Sequence, residues 1–250
     1  MKAAVHAEWT KLWTTRTVWW ALIGGAVLMS AVAAQYAIYV DNGDLAPPNT
    51  PRGLVSGGWV AALATDVAQF ALIALAMLVM TSEYSTGTIR STLAWVPSRG
   101  RLLLAKCAVV GVVTFLAGTL LGALGAAAAT PLLGTRGDAD VGVNTGHAVD
   151  IGLYLAVISV FATGLGAALR GPVITLVCVF LLIVVVPPIL TLPEHSTFDR
   201  IADLLPGVAG SHFLRGDGDT YPAPVGLLVA AGWAAAAVLA GWRALNRRDA

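Results

Sequence analysis

Long apolar runs broken by short polar segments make up most of this chain. Six runs, at about 18–40, 59–80, 102–130, 148–169, 172–192 and 224–242, each approach or exceed the ~20 residues that a helix needs to cross a ~30 Å hydrocarbon core. They are continuous, rich in Leu and Ala, and show no period-two alternation, so they predict helices and not barrel strands. Residues 1–17 read differently. In "AVHAEWTKLWTTRT", Val5, Trp9, Leu12 and Trp13 form one apolar stripe, opposite His6, Thr10 and Thr14. With Trp on the stripe and Glu8, Lys11 and Arg16 beside it, the spacing predicts an interfacial helix lying on one membrane surface. Lys2, the first apolar run and Ala31–Ala34 also fit a cleaved signal peptide. The run is longer than a signal core, however, and the segment before it is patterned.

Composition supports the membrane reading. Of 250 residues, 57% are hydrophobic and 12% charged, with mean hydropathy +0.78. Soluble domains carry about a quarter charged residues. Cys107 and Cys178 both fall in apolar runs, which argues against a disulfide framework.

The net charge of +1 hides an asymmetry. If the runs alternate across a bilayer, eleven of the fifteen bases share one side: Lys2, Lys11, Arg16, Arg90, Arg99, Arg101, Lys106, Arg170, Arg243, Arg247 and Arg248. The other side keeps Arg52, Arg136, Arg200 and Arg215, with most of the acids. The positive-inside rule then places both termini in the cytoplasm of a multi-pass cell-membrane protein.

Sites of chemistry are few. The chain has no Gly-Lys pair, hence no GxxxxGK[ST] phosphate loop. It has no HExxH, and its four histidines are scattered, so no metal site is expected. "GDGD" at 216–219 matches an intramembrane protease string, but it lies in a hydrophilic loop. Gly118 and Gly122 form a GxxxG that close helix packing explains. Asp66 is an acid inside the second run: either it walls a substrate path, or it sits near the outer headgroups. Between runs five and six, residues 193–221 contain "FDRIADLLPGVAGSHFL". It predicts a short amphipathic helix ending at Pro206, or a solvated loop.

The most informative segment is "TSEYSTGTIRSTLAWVPSRGRLLLAK" at 81–106. Ser85 can cap a short helix that Pro97 ends, and Ser98 can cap the next one. A generic positive loop would need the bases but not this order. The segment resembles the cytoplasmic loop of permease subunits of ATP-binding-cassette type-2 exporters. The match lies in Glu83, Gly87, Thr88, Arg90, Pro97, Arg99 and Lys106. "EWTKLWTTRTVWW" at 8–20 is similar to that family's connecting helix, and "LLPGVAGSHF" at 204–213 to its outer segment.

The resemblance implies an all-α fold over 1–250 as one transmembrane domain, with a coupling helix between spans two and three and no nucleotide-binding domain. It implies that Glu83, Tyr84, Gly87, Thr88, Arg90, Pro97 and Arg99 couple to a separate ABC ATPase subunit that holds ATP and Mg. It further implies a second permease chain and export of an unidentified substrate. This chain itself would carry no catalytic residue and bind no nucleic acid. An ion-coupled carrier or channel, hinted at by Asp66 and Pro187-Pro188, is a rival reading. A non-transporting immunity or anchor protein is another.

Overall fold

The computed structural model describes residues 2–45, 54–88, 99–193, 195–216 and 220–247. Among the described residues, six helices are long and apolar enough to cross a membrane: Arg16–Asn42, Gly57–Ser85, Arg99–Leu132, Val141–Leu169, Pro172–Thr191 and Ala223–Arg247. They are called spans one to six. The chain is an all-α polytopic membrane protein. Hydropathy marks only the part of a helix that faces lipid, whereas the helix itself runs on to its cap. Span two therefore continues past Met80 to Ser85, and span four starts at Val141, where the Asp140 carboxylate accepts from the Gly142 and Val143 N–H groups.

Span four is the most enclosed helix and packs against spans two, three and six. Lipid is as apolar as leucine, so burial alone cannot hold such helices together; close approach must. Glycine permits it at the two main crossings. A Cβ on Gly152 would fall 2.8 Å from the Phe115 carbonyl of span three. One on Gly164 would fall 2.6 Å from the Val238 nitrogen of span six. Gly118 and Gly122 belong to the same seam, their missing Cβ atoms 3.0 and 2.9 Å from the Gly152 and Ala148 Cα atoms.

Alternation of the spans gathers a base-rich end and an acid-rich end. At the acid-rich end a small parallel pairing of Val55–Ser56 with Gly137–Asp138 joins the approaches to spans two and four. Asn144 reinforces it by accepting from the Gly58 N–H at 2.7 Å. At the base-rich end two arginines act as caps: Arg99, which the resemblance gives to the coupling segment, and Arg170, counted from sequence only as surface charge. Arg99 donates to the Leu245 carbonyl, and Arg170 to that of Ala244 at 3.1 Å. These are carbonyls of the last turn of span six, which no helical N–H can reach.

Span five is broken. Pro187 and Pro188 cannot donate to the carbonyls one turn back, and a π-helical turn, Leu181–Val185, sits where the ladder widens. The segment after it forms two helices, Ser196–Asp203 and Pro206–Arg215, divided at the predicted proline. The second is more than a surface feature. A Cβ on Gly210 would lie 2.0 Å from the Tyr154 ring, and one on Gly207 3.0 Å from the Ile183 backbone. Tyr154 stands about 20 Å of helix rise from the start of span four, so this helix reaches the middle of the bundle. Its entrance turn is satisfied by the Trp233 indole, which donates to the Leu204 carbonyl at 2.8 Å.

If these crossings set the packing, Gly164→Leu costs roughly 1–3 kcal/mol of stability through overpacking. Gly24→Leu, where a Cβ meets nothing within 4 Å, is expected to be close to neutral. Thermal unfolding of the detergent-solubilised protein compares them; equal midpoints would refute the close-packing account.

Candidate functional site

The first helix, Lys2–Thr14, ends at Thr15, whose extended backbone (φ −92°, ψ 120°) turns the chain into span one. Its predicted stripe packs onto the bundle: Leu12 is buried with Val18, Leu75, Val109 and Val113, and Val5 and Trp13 lie against them. Trp9 and Trp13 meet edge to face, with ring centres 5.9 Å apart, and Trp13 also contacts Trp19. Arg16 is exposed at the start of span one.

Glu8 occupies the same face, three residues after Val5 and four before Leu12. It is 6% exposed and accepts from the Lys106 amine at 2.7 Å. Lys106, with no exposure at all, also donates to Glu83 at 2.7 Å and to the Val79 carbonyl at 3.4 Å. Glu83 is 1% exposed and takes a further ion pair from Lys11, whose side chain remains 49% exposed. Two acids and two bases thus form one neutral cluster joining the first helix, the end of span two and the start of span three. Each helix presents its charge on its buried face. In span two, Ala76, Met80 and Glu83 follow at intervals of four and three; in span three, Leu102, Lys106 and Val109 do the same. Beside the cluster lies a cleft of about 130 Å³, lined by Glu8, Lys11, Thr15 and Ser82 and by apolar residues of spans one and two.

The residues expected to face an ATPase divide. Glu83 faces the interior and is held by Lys106 and Lys11. The sequence placed Glu83 beyond a second run ending near residue 80, in a segment expected to couple to an ATPase; the helix extends past it to Ser85. Tyr84 lies under Arg170, whose guanidinium carbon is 5.2 Å from the ring centre. Ser85 does not open a short helix. It is the last residue of span two, and its hydroxyl donates back to the Ser82 carbonyl at 3.0 Å. Gly87 lies beyond the helix end with φ +72°, a left-handed conformation that other residues adopt only at a cost. Thr88 is exposed, its hydroxyl 2.9 Å from that of Thr86. Arg99 opens span three. Arg90, Pro97 and the body of the expected coupling helix lie outside the described residues.

A second polar group stands in the acid-rich half. Asp66, its side chain half-exposed, pairs with Arg215 at the end of the inserted helix. One turn on, Gln69 accepts from the buried Tyr154 hydroxyl at 2.7 Å and donates to the Asp66 carbonyl at 2.9 Å. Farther out, Asp203 gathers His212 at 3.3 Å, Thr220 and, through its backbone carbonyl, Tyr221. Burial raises the Tyr221 phenol above its usual range, and the Asp203 charge adds to this. Among the described residues, no three His, Cys, Asp or Glu side chains are placed to hold a metal ion.

The family model described as ABC-2 family transporter protein matches residues 4–193. The chain belongs to the ABC-2 transporter family. That match takes in the first helix, the ionic cluster and spans one to five, which is well over half of the sequence. The inserted helix and span six follow it in the chain. No curated protein matches the sequence. As a member of the ABC-2 family, the chain is a membrane subunit of an ABC transporter, of the permease type.

The burial of Glu83 changes the outcome expected for its removal. As a surface contact, Glu83→Ala would leave folding intact. Within a sealed cluster it leaves Lys106 short of counter-charge, and breaking a buried pair in this way costs roughly 3–5 kcal/mol. Glu83→Ala is therefore expected to lower the thermal midpoint of the isolated chain markedly, while Ser85→Ala, at the exposed end of the same helix, leaves it unchanged. Equal midpoints for both variants would show that the cluster contributes nothing to the fold.

Proposed function

We propose that this ABC-2 family member is the permease of an exporter and moves a still unidentified substrate when ATP is hydrolysed by a separate ATPase subunit. The observation that carries the reading is the ABC-2 family match over a six-span bundle whose sequence contains no phosphate loop. Two permease chains pair around the path, and the base-rich end faces the cytoplasm of a cell with this protein in its plasma membrane. Coupling runs through the segment joining spans two and three, which leaves the membrane at Gly87 and re-enters at Arg99. The permease supplies no catalytic group. Its part is to have two conformations that the ATPase distinguishes, since a ligand shifts an equilibrium only through its differential affinity for the two states.

The acid-rich half suits the outward-opening side of such a path. There a broken span five and an inserted helix meet, and polar groups from spans two and four are held by neighbours of that helix. Asp66 with Arg215 places a charge pair at this point, where a moving Pro206–Arg215 helix would expose or cover the carboxylate.

Orientation and partner are tested separately. With Cys107 and Cys178 replaced by Ala, Ser85→Cys and Asn246→Cys are expected to resist a membrane-impermeant maleimide in intact cells, and Asp138→Cys to react. Labelling at Ser85→Cys with none at Asp138→Cys would invert the topology. The pure chain is expected to show no ATPase activity above a detergent blank, and gentle purification from its native membrane to bring down an ATPase. Steady hydrolysis by the demonstrably pure chain would sink the two-subunit reading.

A further inference from the structure

We propose that Glu8, Lys106 and Glu83 form a releasable ionic latch, through which the first helix and the exit of span two move as one body when closed and separate when it opens. The contacts are asymmetric in a way that favours opening on one side. Lys106 and Glu83 sit on adjacent spans, with no more than 1% exposure, and are fixed to the bundle by the packing of Met80, Leu102 and Leu103. Glu8 belongs to a helix joined to the rest by the extended step at Thr15. It lies at the rim, it lines the 130 Å³ cleft, and water entering that cleft can solvate its carboxylate once the helix tilts. Lys11, on the same helix, is already half in solvent. Opening the latch thus transfers to water the two groups nearest to it, while the core pair Lys106–Glu83 stays intact.

The closed state also leaves a defect that an open state can repair. Glu83 Oε1 receives both Lys106 and Lys11, whereas Glu83 Oε2 is buried with no donor. An unsatisfied buried carboxylate oxygen is costly. The Lys106 amine, with three protons to place and Glu8 gone, can turn to bridge both oxygens of Glu83. Opening therefore exchanges a cluster with one unmet carboxylate oxygen for a pair in which both oxygens are met. A fully satisfied core would have no such second arrangement.

The location gives the latch its consequence. Glu83 lies four residues before Gly87, where span two leaves the bundle. A force on that exit displaces Glu83, and Lys106 passes the displacement to Glu8 and hence to the first helix. If the proposed transport function holds, this ties the first helix to the coupling stroke. Lys106 and Glu8 would then be positioning residues, reached through Glu83.

The latch is tested on the isolated chain in nanodiscs, without any ATPase, so its failure and that of the transport reading are separable. In the background lacking Cys107 and Cys178, Leu12→Cys reports the underside of the first helix, where Leu12 is 4% exposed. Its labelling rate by N-ethylmaleimide is measured beside circular dichroism and gel filtration. Glu8→Gln, which keeps shape and removes charge, is expected to raise that rate at least ~tenfold with the bundle still folded, and Lys106→Met to do the same. Lys2→Gln, a charge loss on the same helix outside the cluster, is expected to leave it unchanged. Should Lys106→Met fail to fold, Glu8→Gln alone decides, because it alters no span. Parental labelling in Glu8→Gln would overturn the proposal and assign docking of the helix to Val5, Leu12 and Trp13. An equal rise in Lys2→Gln would also overturn it, since any charge loss would then suffice.

Discussion

The amine of Lys106 has no contact with water, and everything at the base-rich end follows from supplying it with charge. Transfer of an isolated ammonium from water into a medium this dry costs far more than the fold can supply, so acids must come to it. One arrives from the adjacent span, as Glu83. The other must come from outside the bundle, and Glu8 brings the first helix with it. An apolar stripe containing Leu12 and Trp13 does not by itself select one place on the surface. The carboxylate at its centre confines it to one azimuth and one register, over the junction of spans two and three. The same requirement explains why Lys11 is needed: two acids around one base would leave a net negative charge buried, and the second lysine cancels it from the rim.

The contrast with the acid-rich half is one of hydration. There the charged pair Asp66–Arg215 is partly open to solvent and costs little to form or to separate. The costly groups are neutral: the Tyr154 hydroxyl and the Gln69 amide, paired deep between spans two and four. In lipid each backbone group must find its partner inside the protein, and irregular backbone survives only where such a partner exists. Trp233 meets one such carbonyl, that of Leu204, at the turn before the inserted helix, and Asn144 meets the Gly58 N–H at the start of span two.

Much of this was legible in the sequence, for reasons that can be named. Six spans follow from apolar length alone, because lipid enforces it. The proline at 206 and the stripe on the first helix also carried over. The ionic cluster was hidden for a different reason. Glu8 interrupts an apolar stripe, Lys106 stands at an inward interval in span three, and Glu83 continues the inward series of span two. Each anomaly was visible, and an acid within a buried stripe demands a base. What the sequence could not supply was the pairing, since residues 8, 83 and 106 meet only when three helices converge. Ending the second run near residue 80 added to this, for it left Glu83 outside the helix whose buried face carries it. The inserted helix was missed because its residues are only moderately apolar. Gly207, Gly210 and Ala209 reach the bundle core through smallness, which a hydropathy scale does not register as burial.

Small residues also decide which parts of the bundle can move. Spans three, four and six meet at Gly152, Gly164 and Gly241, where backbones approach closely and only small groups such as the Thr119 hydroxyl and the Ala167 methyl lie at the contact. Such contacts slide poorly, because a shift of an ångström brings a carbonyl against a Cα. Span five contrasts with them: its hydrogen-bond ladder is already broken at the π turn, and it is among the least enclosed of the spans. The first helix contrasts too, since its attachment is two ionic contacts, Glu8–Lys106 and Lys11–Glu83, and a handful of apolar side chains. The molecule therefore divides into a stiff strut centred on span four and two adjustable elements, one at each end. The strut reaches close to the exit of span two, where a Cβ on Gly166 of span four would lie only 3.1 Å from the Thr81 methyl. Motion at that exit can go into the first helix, or along the strut toward Tyr154 and the inserted helix, but it cannot be absorbed at the crossing itself.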